Sequence, residues 1–150
     1  LDAIRPNITN WWESDATLEQ AIGQGELDIS PVTTHRAQRL INEGAEIAIN
    51  FNEAYYSMMG WAIPKGTPKA PLVRELIKFG AAPEREAALV KYSPMGPMHP
   101  KAFDYLDPEF AKLLPTYPDN FAKMNVQDPV FWAKNIDYAA KRFEEWLLQG

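Results

Sequence analysis

The chain has 150 residues, of which 46% are hydrophobic and 23% are charged, with a formal net charge of -5 and no cysteine. These values are typical of a globular protein, and the lack of cysteine excludes disulfide bonds, thiolate chemistry and cysteine-based metal sites. The acidic balance without a cluster of Lys and Arg argues against a nucleic-acid partner, and no apolar run reaches the roughly 20 residues of a membrane helix.

The first third of the chain alternates short predicted strands with helices. Apolar periodicity predicts strands at residues 7–12, 27–31 and 46–51. Ser14 or Asp15 is suited to cap a first helix, because a side-chain oxygen there accepts a hydrogen bond from the first turn. A second helix is predicted from residue 34 to residue 43, with Gly44 just after its end.

The most apolar stretch of the chain follows. Residues 55–63 are aromatic and apolar without a charge, and Pro64, Lys65 and Gly66 follow them, so a buried strand is predicted there. Polar groups precede this strand, at Asn52, Glu53, Tyr55 and Tyr56. The end of a strand is a place where a sheet protein can present such groups to a ligand.

Prolines divide the second half of the chain. Thr67 and Pro68 are predicted to start a helix whose buried stripe consists of Leu72, Val73, Leu76 and Ile77. Further helical segments are predicted at residues 83–90, 100–106 and 108–114, with the longest helix beginning at Pro129. Residues 92–100 contain three prolines and Gly96, which predicts an irregular loop. The alternation of strands and helices predicts an α/β fold with largely parallel pairing.

Motifs for cofactor chemistry are absent from the sequence. There is no glycine-rich dinucleotide or phosphate loop, so no cofactor is expected. His35 and His99 lack a second ligand at helical spacing, so no metal is expected either. Polar and aromatic residues instead collect at the ends of predicted strands, which indicates a binding cleft more than an active site. Two alternatives stay open: a small α/β enzyme with Glu53 or His35 as the base, and an interaction module without a small ligand.

The order of several motifs resembles that of a known family. The motifs on which this resemblance rests are Trp11-Trp12-Glu13-Ser14, Gly25-Glu26-Leu27-Asp28, Thr33-Thr34-His35-Arg36, Trp61 to Pro68, Tyr92-Ser93-Pro94 and Phe131 to Asn135. Together they are similar to the bacterial solute-binding proteins of ABC importers, specifically to the spermidine/putrescine-binding group. The resemblance covers essentially the whole chain and matches the later half of such a protein.

The resemblance implies a partial periplasmic-binding-protein-like fold of type II, with mixed, mainly parallel sheets and a helical C-terminus. It implies that residues 1–52 belong to a second lobe, residues 53–57 to a hinge crossing and residues 58–102 to a first lobe, and that residues 103–150 return to the second lobe. It further implies a periplasmic protein without enzyme activity. The implied partners are a small solute, the membrane permease of the importer and a missing N-terminal portion of the same protein.

The family pattern and the strand-end positions together give the expected ligand-binding residues. These are Thr33, Thr34, Arg36, Asn52, Glu53, Tyr55, Ser57, Met59, Tyr92, Ser93 and Trp132. Arg36 matches the arginine of a frequent Trp-Asn-Gly-Arg loop of the family, and would suit a carboxylate or phosphate. Met59 stands where polyamine binders carry an aspartate, although Glu53 could replace that charge. The expected solute is therefore polyamine-like or another amine or organic acid.

Overall fold

The computed structural model of the chain describes residues 1–149, which are mostly helical. The α-helices are α1 (Asp15–Gly23), α2 (Thr34–Asn42), α3 (Ala70–Gly80), α4 (Pro83–Val90), α5 (Pro108–Ala111), α6 (Pro118–Phe121) and α7 (Pro129–Leu148). Two short strands, β1 (Tyr55–Tyr56) and β2 (Asn125–Val126), and 3-10 helices at Arg5–Asn7 and Pro100–Tyr105 complete the described elements.

Local capping sets where most helices begin. The Ser14 hydroxyl accepts a hydrogen bond from the Thr17 N–H at 3.3 Å, which confirms the predicted cap of α1. Asp128 caps α7 in the same way, accepting from the N–H groups of Val130 and Phe131. Pro83 and Pro129 occupy first helical positions, where the missing N–H costs nothing.

Most of the strands predicted from the sequence do not form in the described part of the chain. Within the described part of the chain, residues 7–12, 27–31 and 46–51 form no ladder, and only the first two residues of the predicted strand at 55–63 pair. Tyr55 and Tyr56 pair in parallel with Asn125 and Val126, 70 residues further along the chain. A β-strand forms only where a second strand pairs with its backbone N–H and C=O groups. The alternating pattern of one segment does not show whether such a second strand is present.

Residues 45–51 still show which face such a strand would bury. Their exposure alternates residue by residue, and Ala45 and Ile47 pack against a core formed by Leu18, Ile22 and Leu40 of α1 and α2. The period of two thus corresponds to one half-buried face and one exposed face, although the predicted strand does not form. The segment forms no strand ladder among residues 1–149.

A second hydrophobic core lies around α4. It is formed by Ala87, Val90, Ala102, Leu106, Ala111 and Leu114, with Phe103, Phe110 and Tyr117 packed against it. This core joins α4 to the 3-10 helix at Pro100–Tyr105 and to α5. It holds in place the loop that follows α4.

Gly96 allows that loop to approach Thr116. A Cβ atom on Gly96 would lie 2.5 Å from the Thr116 Oγ1 atom and closer still to Cγ2. The Thr116 hydroxyl also donates to the Pro97 carbonyl at 3.0 Å. The predicted irregular loop at residues 92–100 is confirmed, and this contact fixes its middle.

A helix was correctly predicted at α3, but the prediction that its apolar side chains are buried was wrong. The helix begins at Ala70, two residues after the predicted start, and none of its residues is buried. Leu72 and Leu76 are 69% and 54% exposed, and Phe79 is exposed beside them. The apolar stripe expected to face a core is thus largely open to solvent in the described chain.

The N-terminal segment packs against the end of α7. The Arg5 guanidinium lies 3.7 Å from the ring centre of Trp146, and the Trp146 indole N–H donates to Asp2 at 2.7 Å. Trp11 makes edge-to-face contacts with Phe143 and Trp146. None of the described helices, α7 included, is long and apolar enough to cross a membrane.

Candidate ligand-binding site

A first cavity of about 380 Å³ lies between α2 and the loop after α4. It is lined by His35, Arg36, Arg39, Asn42, Lys91, Tyr92, Ser93 and Pro94. Three of the residues expected to bind ligand come together here: Arg36, Tyr92 and Ser93. The cavity also includes His35, which was considered as an alternative base.

The spacing on α2 explains one wall of this cavity. Residues 35, 39 and 42 follow each other by four and three positions, so they share a face of the helix. The other wall is supplied by residues 91–94, which directly follow α4 and precede the Gly96 contact with Thr116. Helix periodicity would have added Arg39 and Asn42 to the expected residues, whereas the proximity of Lys91 carries no local sequence signal.

The two arginines that line this cavity form ion pairs with carboxylates of α1. Arg36 forms ion pairs with Asp15, at 3.0 Å, and with Glu19, which Arg39 also contacts. Glu19 is only 9% exposed, and a carboxylate at such a site needs charged or hydrogen-bonding partners. Arg36 therefore links α1 to α2, and part of its charge is balanced within the protein.

His35 contributes an unusual atom to the same region. Its ring Nδ1 is buried and has no hydrogen-bond partner among the described residues. Buried polar atoms in native proteins are nearly always paired, so an orphaned one needs an explanation.

A second cavity, of about 370 Å³, lies at the ends of the two strands. It is lined by Ser57, Met58, Gln127, Pro129, Trp132 and Ala133. Ser57 follows β1 and Gln127 follows β2, and the carboxyl ends of parallel strands open toward the same edge of a sheet. The expected residues Ser57 and Trp132 are brought together here. Met58 and Gln127 were not among the expected residues.

The remaining expected residues line neither cavity. They are Thr33, Thr34, Asn52, Glu53, Tyr55 and Met59. Thr33 and Thr34 form the start of α2, and the Asn52 N–H donates to the Asn50 side chain at 3.0 Å. Tyr55 and Met59 are largely exposed, Met59 at 82%.

Glu53 has a strained backbone just before β1. Its φ angle of 60° lies in the left-handed region that side-chain-bearing residues rarely adopt. The Glu53 N–H donates to the Lys123 carbonyl at 3.1 Å, and the Glu53 carboxylate accepts from the Asn125 amide at 3.3 Å. These contacts join the two segments of the chain that form the small sheet.

Neither cavity has the ligands of a metal centre. Among residues 1–149, no three His, Asp or Glu side chains are grouped so that they could hold a metal ion. One ionisable group with a shifted pKa lies elsewhere, on the surface of α5: its hydrogen bond to Glu109, together with their opposite charges, raises the pKa of Lys112. The cavities therefore offer hydrogen-bonding groups, charge and aromatic surface, which are the elements of ligand binding.

Solved structures with the same fold are ABC-transporter binding proteins. An ABC transporter substrate-binding protein from Bradyrhizobium japonicum USDA 110 is 29% identical, with a TM-score of 0.83 over 96% of this chain and 46% of that chain. The binding protein AgtB of A. tumefaciens R10, solved in complex with agropinic acid, is 28% identical, with a TM-score of 0.76 over 98% of this chain and 46% of that chain. The periplasmic-binding-protein-like α/β fold is thereby confirmed.

The fold is thus that of the solute-binding proteins of ABC transporters. Residues 1–120 match the family described as "Bacterial extracellular solute-binding protein", and the chain belongs to that family. A curated relative, the gamma-aminobutyric acid-binding protein of Pseudomonas aeruginosa, is 30% identical over 149 residues, which are 99% of this chain and 42% of the relative. The chain spans less than half the length of each of these proteins.

Proposed function

We propose that the chain forms part of the extracytoplasmic, periplasmic solute-binding component of an ABC importer, and that it helps to hold a small polar solute. The observation that carries this proposal is the cavity between α2 and residues 91–94, where Arg36, Tyr92 and Ser93 meet. Its volume of about 380 Å³ suits a small molecule. The relatives with this fold are solute-binding proteins of transport systems and not enzymes, which agrees with reversible capture without chemistry.

The lobe division that the resemblance implies is part of this proposal. In this proposal residues 53–57 form a hinge crossing between residues 1–52 of the second lobe and residues 58–102 of the first. Residues 103–150 return to the second lobe. The parallel pairing of β1 with β2 brings residues 125–126 of the proposed second lobe next to this crossing. The second cavity lies at the ends of these two paired strands, beside Ser57 and Trp132.

The remaining expected residues are proposed to act around the same cleft. Thr33 and Thr34 begin the helix that forms one wall of the first cavity. Asn52, Glu53, Tyr55 and Met59 flank the crossing, and their exposed side chains are available to a ligand or to another part of the protein. Hinge closure would bring such groups onto the solute.

The chemistry of the solute is narrowed by two relatives. One is named for gamma-aminobutyric acid, and the other was solved with agropinic acid. Both compounds are acids, which favours an organic acid over a polyamine for this chain. A polyamine ligand rests on the resemblance in sequence alone, and with Met59 at the position of the family's aspartate it would depend on Glu53 for the acidic partner that a buried ammonium needs.

Two macromolecular partners belong to the proposal. One is the membrane permease of the importer. The other is an N-terminal portion of the same protein, which would cover the exposed apolar residues Leu72, Leu76 and Phe79 of α3. Relatives more than twice as long as the matched region support this second partner.

Calorimetry on the protein produced from the complete gene tests the proposed function. The panel contains organic acids, amino acids, opines, organophosphonates and polyamines, and we expect saturable binding of one class without turnover. Replacing Tyr92 by Ala should weaken binding about tenfold, because an aromatic phenol is lost from the cavity. The matched control is Tyr138→Ala, an exposed tyrosine that lines neither cavity. Turnover of any ligand, or no binding across the panel, would contradict the proposal.

A further inference from the structure

The first cavity presents mainly hydrogen-bond donors. Its Asn42 side-chain oxygen already accepts from the Gln38 amide at 3.1 Å, which leaves the Asn42 amide hydrogens free to donate. Lys91 has three N–H donors and no acceptor, and Tyr92 and Ser93 add hydroxyl groups. In the described chain, none of the eight residues around this cavity is an aspartate or a glutamate.

Lys91 differs from the arginines of this cavity in its ion pairing. Arg36 and Arg39 are both ion-paired with Glu19, and Arg36 also with Asp15. Lys91, by contrast, forms no ion pair with any carboxylate in residues 1–149. Among the lysine and arginine side chains that line this cavity, Lys91 is therefore the one whose charge no carboxylate of residues 1–149 balances, whereas Arg36 is already paired.

We propose that this cavity is a carboxylate subsite in which Lys91 is the counter-ion of the solute. The Tyr92 and Ser93 hydroxyls and the Asn42 amide donate to the same carboxylate. A carboxylate accepts hydrogen bonds and donates none, which complements this lining. A polyamine ammonium donates only, so it would meet donors and a like charge here. The inference rests on the proposed function, since it names the solute class and a specificity-determining residue of the same site.

The experiment compares three ligands with the same four-carbon chain: 4-aminobutyrate, 4-aminobutanamide and putrescine. They share one amine end and differ in whether the other end is a carboxylate, an amide or an ammonium. Calorimetry on the protein from the complete gene should give the tightest binding for 4-aminobutyrate, by about 10- to 100-fold over the other two, because hydrogen bonds to a charged group are the stronger ones.

The variant Lys91→Met tests whether Lys91 supplies the positive charge that binds the carboxylate. It should weaken 4-aminobutyrate binding about tenfold or more and leave 4-aminobutanamide binding unchanged. The matched control is Lys141→Met, an exposed lysine of α7 outside both cavities, which should bind both ligands as the original protein does. Tightest binding of putrescine, or equal loss of acid and amide binding in Lys91→Met, would overturn the subsite while the proposed function stands. If none of the three ligands binds, the subsite is overturned as well, and the wider panel of ligands then decides on the proposed function.

Discussion

The Arg36 guanidinium lies 3.0 Å from the Asp15 carboxylate, and this ion pair ties the start of α2 to the start of α1. The same guanidinium contacts Glu19, whose side chain is nearly buried. A charge in such a place is stable only while its partners remain. Arg36 thus has a structural role that its position in a binding-loop pattern did not reveal.

Replacing Arg36 by Met should therefore lower the free energy of unfolding. We expect a loss of about 1–2 kcal/mol, less than for a fully buried pair because Arg39 still contacts Glu19. Urea unfolding followed by circular dichroism measures it. In a Glu19→Gln background the same substitution should cost much less, since the buried charge is already gone. Unchanged stability together with lost solute binding would instead assign Arg36 to the ligand.

Structural features that depend on residues close together along the chain were predicted well from the sequence. The cap at Ser14, the proline at the start of α7 and the irregular loop around Gly96 all depend on groups within a few positions along the chain. The alternating face of residues 45–51 was also predictable, because Ile47 and its neighbours need only a core on one side.

Features that depend on distant residues were not predictable. A strand at residues 27–31 was expected, but Ile29 is 94% exposed and has no ladder partner within residues 1–149. In the first cavity, Arg36 was among the expected residues and Lys91 was not, and the pairing of Arg36 with Asp15 and Glu19 was not predictable because these carboxylates lie on another helix. Sequence periodicity describes a face of one element, whereas a charge balance belongs to the packed pair.

Gly96→Ala should destabilise the core around α4 by about 1–3 kcal/mol, the usual range for an overpacked site. The added methyl group would overlap the Thr116 side chain, whose β-branching leaves it little freedom to rotate away. Thermal unfolding measures the effect. Gly60→Ala is the matched control, because a Cβ atom there meets nothing within 4 Å. Equal melting temperatures for the two variants would show that Thr116 can move aside.

The isolated 150-residue chain should associate in solution. Leu72, Leu76 and Phe79 present an apolar strip on α3 that a monomer would leave in water. Sedimentation velocity on the chain should show concentration-dependent oligomers, and the double variant Leu72→Lys with Leu76→Lys should shift them toward monomer. Leu148→Lys, at an exposed position on α7, is the control and should leave the distribution unchanged. A monomeric original chain with a cooperative melt would contradict this prediction.

The left-handed backbone of Glu53 gives a test of strain at the proposed hinge. Replacement by Gly or by Ala removes the carboxylate and its hydrogen bond with Asn125 equally, so the two variants differ only in their backbone preference. Because a Cβ atom costs about 1–2 kcal/mol in this region, Glu53→Gly should be more stable than Glu53→Ala. At Glu46, which does not have a positive φ angle, the order should reverse, because glycine there increases the entropy of the unfolded chain without relieving strain. Urea unfolding of the four variants measures both differences. If Glu53→Ala is instead the more stable variant, as expected at position 46, residue 53 carries no strain, and the crossing then has no local feature that distinguishes it from a plain connection.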